Sequence, residues 1–189
     1  MPADPLEALP PAPLIGLNLD ESATPFFAVS LFKLAVMSLC TFGVYEMYWF
    51  YRNWQAIRQR EALELTRSWN SISPLWRTIF SVFYCYSCFA RIDRYGAKAG
   101  VKSIVPPAVC AAGWIILQFL VVFPSEPWEL ASLLAVVFLL PVQSQVNRIN
   151  ETVAGLPHAN SRLSAWNWVA VVLGGLVLVL AVLGLAVSK

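Results

Sequence analysis

The stretch WNWVAVVLGGLVLVLAVLGLAV, residues 166–187, decides the fold class of this chain: twenty-two residues without a charge. At about 1.5 Å per residue they reach across the roughly 30 Å of a hydrocarbon core. The rest of the chain agrees with it. Of 189 residues, 58% are hydrophobic and 13% charged, against about 45–50% and about 25% in soluble domains. Thirteen basic and eleven acidic side chains are too few to clothe a water-soluble globule of this size. A net charge of +2 and four cysteines exclude a nucleic-acid binder and a disulfide-stapled secreted domain.

Working outward, a second span is expected at 104–123, with Pro106 and Pro107 in its first turn, where missing N–H groups cost little. Pro124 and Pro127 force a turn, and 128–146 returns as a third span whose end grows polar at Gln143, Gln145 and Asn147. A span at 31–51 opens near Lys33 and contains Glu46. It closes on Tyr45, Tyr48, Trp49, Phe50 and Tyr51 before Arg52, a pattern that reads as an interfacial aromatic belt. Ahead of it, 1–25 reads as a flexible proline-rich tail with four acidic residues and no basic one, lacking the basic region of a cleavable signal peptide.

The segment 74–95 starts well at Ser73-Pro74 and stops well at Gly96, but only thirteen uncharged residues separate Arg77 from Arg91. Loop charges arbitrate. If this segment does not cross, eleven of the thirteen basic residues, in 52–77, 91–102 and 148–162, share one side; if it crosses, the bias vanishes. The positive-inside rule then predicts an all-α integral membrane bundle: four transmembrane helices in one domain, 26–189, plus an interfacial or re-entrant helix at 74–95. Both termini fall outside and the basic loops in the cytoplasm. Within 53–70, Trp54, Ile57, Leu65, Trp69 and Ile72 share a helical stripe apart from Arg58, Arg60, Glu64 and Arg67. This fits either an interfacial helix that draws anionic lipid headgroups to 52–77 or a solvated connector with an Arg60–Glu64 pair.

Residues 30–53, SLFKLAVMSLCTFGVYEMYWFYRN, carry a lysine-initiated apolar helix, then Thr41, Phe42, Gly43 and Tyr45, then Tyr48 and Trp49. This stretch resembles a family of uncharacterised small bacterial membrane proteins. The resemblance implies a multi-pass protein of the bacterial inner membrane and supplies no activity, cofactor or substrate.

Few residues could carry chemistry. Glu46 in a span is costly near the bilayer centre, so it reads either as a polar functional site or as a carboxylate bonded to a neighbouring Tyr, Trp or Arg. Gln143 and Arg148, on a stretch rich in amides, could line a polar vestibule with Glu46, Arg148 acting as countercharge; the plainer reading is a helix end in the headgroup layer. Cys85-x-x-Cys88 lacks the further ligands of a zinc site and reads more simply as packing. His158 has no nucleophile or acid at a recognisable spacing. Ala170, Gly174 and Ala181 share a face that permits close helix approach. No phosphate loop or hydrolase motif is present. The expectation is a non-enzymatic protein without a cofactor that binds, assembles with or regulates another membrane component, as a homo-oligomer or with another membrane protein. The alternative is a small oligomeric transporter or channel; a lipid-modifying enzyme comes third.

Overall fold

A computed structural model describes residues 24–63, 73–122, 128–155 and 160–187. Most of the expected tail, Leu65, Trp69, Ile72, Pro124, Pro127 and His158 lie outside the described residues. The helices are α1 (Leu31–Cys40), α2 (Val44–Leu63), α3 (Pro74–Ile79), α4 (Ser81–Lys98), α5 (Pro107–Phe119), α6 (Trp128–Ser132), α7 (Val136–Ala154) and α8 (Ala165–Val187). Short 3-10 turns, Leu120–Val122 and Leu133–Ala135, extend α5 and join α6 to α7. Among the described residues the one strand-like feature is an isolated parallel bridge between Val29 and Asn160. Local chemistry sets the ends: Ser30 Oγ accepts from Lys33 N at 3.2 Å to cap α1, Pro74 and Pro107 open α3 and α5, and left-handed Gly155 closes α7.

The expected span 31–51 is not one helix. Thr41, Phe42 and Gly43 form a turn, with φ +51° at Phe42 and +83° at Gly43, a region that L side chains enter at a cost and glycine enters freely. Thr41 holds both sides of the break: its hydroxyl donates to Met37 O at 2.6 Å and accepts from Tyr45 N at 3.0 Å. The chain then reverses. Residues ahead of α1 run back along α2, Phe27 N meeting Asn53 Oδ1 at 3.4 Å and Pro25 O meeting Arg60 Nε at 2.8 Å. Pro25, the last residue of the expected tail, therefore lies beside Arg60 of the first basic stretch.

Because α2 continues unbroken to Leu63, two members of the expected aromatic belt, Trp49 and Phe50, are core residues. Glu46, Trp49, Phe50, Asn53, Trp54 and Ile57 fall on one stripe, and all six are buried. Phe50 packs against Phe89 and Trp114 with ring centroids 5.8 and 5.1 Å apart; Tyr48 stays at the surface. The Trp54–Ile57 stripe expected to lie on headgroups is core instead, with Arg77 and Arg91 over the Trp54 ring at 4.6 and 5.4 Å.

The segment expected at 74–95 is bent at Phe80 into α3 and α4. Ser73 to Leu75 lie beside Gln55, Arg58 and Gln59 of α2, and α4 ends beside α2 as well, where Arg91 pairs with Glu61 at 2.9 Å and Tyr95 OH accepts from Arg60 at 2.7 Å. Both ends of the V thus meet the C-terminal half of α2, while Leu75, Trp76, Ile79, Phe80 and Phe83 remain exposed.

Helices α4, α5 and α7 complete the core around α2. The expected span at 128–146 runs on to Ala154, because the amides that seemed to mark its exit are packed inside. Among the described residues, two helices are long and apolar enough to cross a membrane, Leu130–Ala154 and Ala165–Gly184; Leu31–Cys40 and Pro107–Val122 are apolar but shorter. Helix α8 touches the rest chiefly through α1. Lys33 Nζ donates to Arg162 O at 2.7 Å near both helix starts, and Gly174 sits so close to α1 that a Cβ there would lie 1.6 Å from Cys40 O. The two helices run side by side in the same direction, and the expected small-residue face of α8 is the one that half-buries.

Candidate functional site

Four amide side chains, Gln143, Asn147, Asn150 and Asn53, converge on one backbone segment, 26–29. From α7, Gln143, Asn147 and Asn150 project at i, i+4 and i+7, one face of a helix. Asn150 receives Phe26 N at 3.0 Å on Oδ1 and returns Nδ2 to Phe26 O at 3.1 Å, so one amide pairs with both polar groups of a residue. Gln143 Nε2 donates to Phe27 O at 3.2 Å and Val29 O at 3.1 Å, and Asn147 Nδ2 reaches Val29 O at 3.0 Å. Trp49 Nε1 donates to Gln143 Oε1. Asn53 secures the other side, its Nδ2 on Trp49 O at 3.0 Å. An extended segment has backbone groups that no helix satisfies, and in an apolar interior each orphan costs about 1–3 kcal/mol. The amides supply what a neighbouring strand would.

Glu46 lies elsewhere. It sits in the first turn of α2, where the helix dipole favours a carboxylate, and is 2% exposed. Its Oε2 accepts from Trp114 Nε1 at 2.7 Å and Gln118 Nε2 at 3.3 Å. Arg148 is exposed and donates to Lys102 O at 3.3 Å. Glu46 therefore meets the C-terminal half of α5 and Arg148 the residues preceding its N-terminus; Trp114 and Gln118 lie about 10 and 16 Å along the axis from Pro107. Arg148 is therefore not the countercharge of Glu46, and among the described residues no hydrogen bond or ion pair joins Glu46, Gln143 and Arg148 to one another.

The motif residues have structural work. Thr41 and Gly43 make the turn; Tyr45 and Tyr48 contact each other at 5.7 Å; Trp49 enters the amide network; and Arg52 stacks over Phe27 at 5.4 Å and Tyr48 at 5.9 Å. Cys85 and Cys88 are free and buried. Burial pushes the Cys85 thiol up to about 11 and raises that of Cys88 as well, so neither is a ready thiolate. Among the described residues no group of three His, Cys, Asp or Glu could hold a metal ion.

No family model, curated protein or solved structure matches the chain.

Three partners were missed in the sequence. Asn53, Trp114 and Asp93, whose Oδ1 accepts from buried Gln145 at 2.9 Å, each pair with a residue more than forty positions away, Asn53 apart. The spacing of Gln143, Asn147 and Asn150 was the available signal: three amides on one face of an otherwise apolar helix call for a polar partner. The basic stretches also meet, through Arg91 with Glu61 and Arg148 with Lys102 O.

Proposed function

We propose that this is a multi-pass integral membrane protein, non-enzymatic, that binds or assembles with another membrane component, as a homo-oligomer or with a different protein. The observation that carries it is the surface of α8. Twelve large apolar side chains of that helix are exposed, from Trp166 to Val187; at about 1.5 kcal/mol each, leaving them in water costs on the order of 15 kcal/mol, comparable to the whole stability of an ordinary domain. Lipid removes that cost. The clustered basic stretches support an orientation with them in the cytoplasm, and the resemblance of 30–53 supports a bacterial inner membrane. The reversal at Thr41–Gly43 supports a reading with three crossings in place of four: α5 outward, α6–α7 back and α8 outward. In this arrangement 24–63 and the α3–α4 V enter and leave from the basic side.

Alkaline extraction of membranes tests the integral reading: the chain stays with the lipid, and release into the supernatant contradicts it. Reconstitution into vesicles with a pH-reporting dye tests the non-transporting one. No flux is expected, since Glu46 is buried and its Oε2 is engaged by Trp114 and Gln118. A proton flux abolished by Glu46→Gln replaces this reading with a transporter.

A further inference from the structure

Where α2 and α4 end side by side, a half-open cleft of about 80 Å³ lies between Arg60, Glu61, Arg91, Arg94 and Lys98 over a floor that includes Phe26. One water needs roughly 10–15 Å³ on this measure, so there is room for a tetrahedral anion and the atoms attached to it. Among the described lining residues, the three guanidinium groups of Arg60, Arg91 and Arg94 share one carboxylate, Glu61. Arg91, Arg94 and Lys98 stand at i, i+3 and i+7, one face of α4, where like charges repel. Arg60 is fixed in place, its Nε on Pro25 O at 2.8 Å, its Nη1 on Tyr95 OH at 2.7 Å and its guanidinium 4.6 Å above the Tyr95 ring. Glu61 spends one oxygen on Arg91 at 2.9 Å. Its other oxygen, Oε2, is buried with no hydrogen-bond partner, and Arg94 has no ion-pair or hydrogen-bond partner among the described residues.

Such a cleft holds surplus positive charge, oriented guanidinium donors and one waiting acceptor. We infer that it binds a phosphate group carrying a hydrogen-bond donor beside it, as in a glycerophosphate, whether the phosphate belongs to a lipid headgroup or to a free phosphoester. Guanidinium and ammonium groups match phosphate oxygens with charge-assisted bonds, and the neighbouring hydroxyl or amine satisfies Glu61 Oε2. The cleft is read from its own side chains and does not depend on the number of membrane crossings.

The test is calorimetric titration of the full chain in a phosphate-free sugar detergent with glycerol 3-phosphate, short-chain phosphatidylglycerol and, as the phosphate-free control, dihexanoylglycerol. The wild type binds at least one phosphate probe and not the control. Arg94→Ala/Lys98→Ala, both exposed positions, weakens that binding at least tenfold, Arg94→Ala alone weakens it severalfold, and Lys102→Ala, outside the cleft, stays within twofold. Binding of both phosphate probes means that the phosphoester suffices; binding of the lipid alone means a headgroup site. The inference is overturned if the wild type binds neither phosphate probe, if dihexanoylglycerol binds as tightly, or if the double variant stays within twofold of wild type.

Discussion

Gln143→Leu is the sharpest perturbation of the amide clasp. Gln143 is 0% exposed, and leucine matches its size. The substitution strips Trp49 Nε1 of its acceptor and Phe27 O of its donor, and it takes the Gln143 donor from the half-buried Asn147 Oδ1, which water can replace, while Val29 O keeps Asn147 at 3.0 Å. The two buried orphans at about 1–3 kcal/mol each give about 2–6 kcal/mol, and the apolar burial gained by leucine returns about 1–2 kcal/mol, so a net loss near 2–4 kcal/mol is expected. Trp49→Phe removes one orphan at its source. In the double variant the indole N–H no longer needs an acceptor, and the combined loss should fall short of the sum of the singles by about 1–2 kcal/mol. Denaturation of the full chain in mixed micelles, followed by circular dichroism, measures all four corners of the cycle. Proteolysis near Phe26-Phe27 should also quicken in Gln143→Leu, because the segment loses its hold. Additivity within about 0.5 kcal/mol, with the segment still protected, refutes the clasp.

Two glycines make further predictions. With Gly174→Val, α1 and α8 must part by about 1.8 Å to bring Cys40 O from 1.6 Å to ordinary contact at 3.4 Å; the readout is an oxidative cross-link between native Cys40 and Gly175→Cys, whose Cβ lies 3.9 Å from the Cys40 sulfur. Scored after cleavage at a protease site inserted following Gly155, that cross-link drops severalfold with Gly174→Val and persists with Gly184→Val, where nothing lies within 4 Å. Gly43→Ala meets no atom within 4 Å but must hold φ +83°, costing about 1 kcal/mol. A melting temperature lower by a few degrees, with a smaller fall for Gly43→Asn, is the expected result.

Long uncharged runs and proline punctuation made much of the fold legible. Residues 166–187 need no tertiary information to be read as an apolar helix, and Pro74 and Pro107 mark helix starts because their rings fit the first turn. The reversal at Thr41–Gly43 escaped because three residues can turn a chain without changing its composition: 31–51 is equally apolar whether straight or folded back. The period of α2 held a clue, since the stripe from Glu46 to Ile57 runs through position 51 without a phase change. Gln143 was identified as a polar site residue, but its partners are carbonyls at Phe27 and Val29, more than a hundred positions away, and backbone groups have no sequence signature. Charge alone pairs Arg148 with Glu46, but Glu46 bonds to α5 at Trp114 and Gln118 while Arg148 bonds to Lys102 O ahead of that helix.

The reversal between α1 and α2 sets the sidedness of the two termini, which can be read directly. Single cysteines Asp4→Cys, Lys102→Cys and Ser188→Cys, in a chain whose native cysteines are replaced by alanine or serine, are probed with a membrane-impermeant maleimide on intact and permeabilised cells. Three crossings with a reversal predict that positions 4 and 102 react only after permeabilisation and that position 188 reacts from outside. Labelling of positions 4 and 188 from the same face, as a straight crossing by 31–51 requires, contradicts the account.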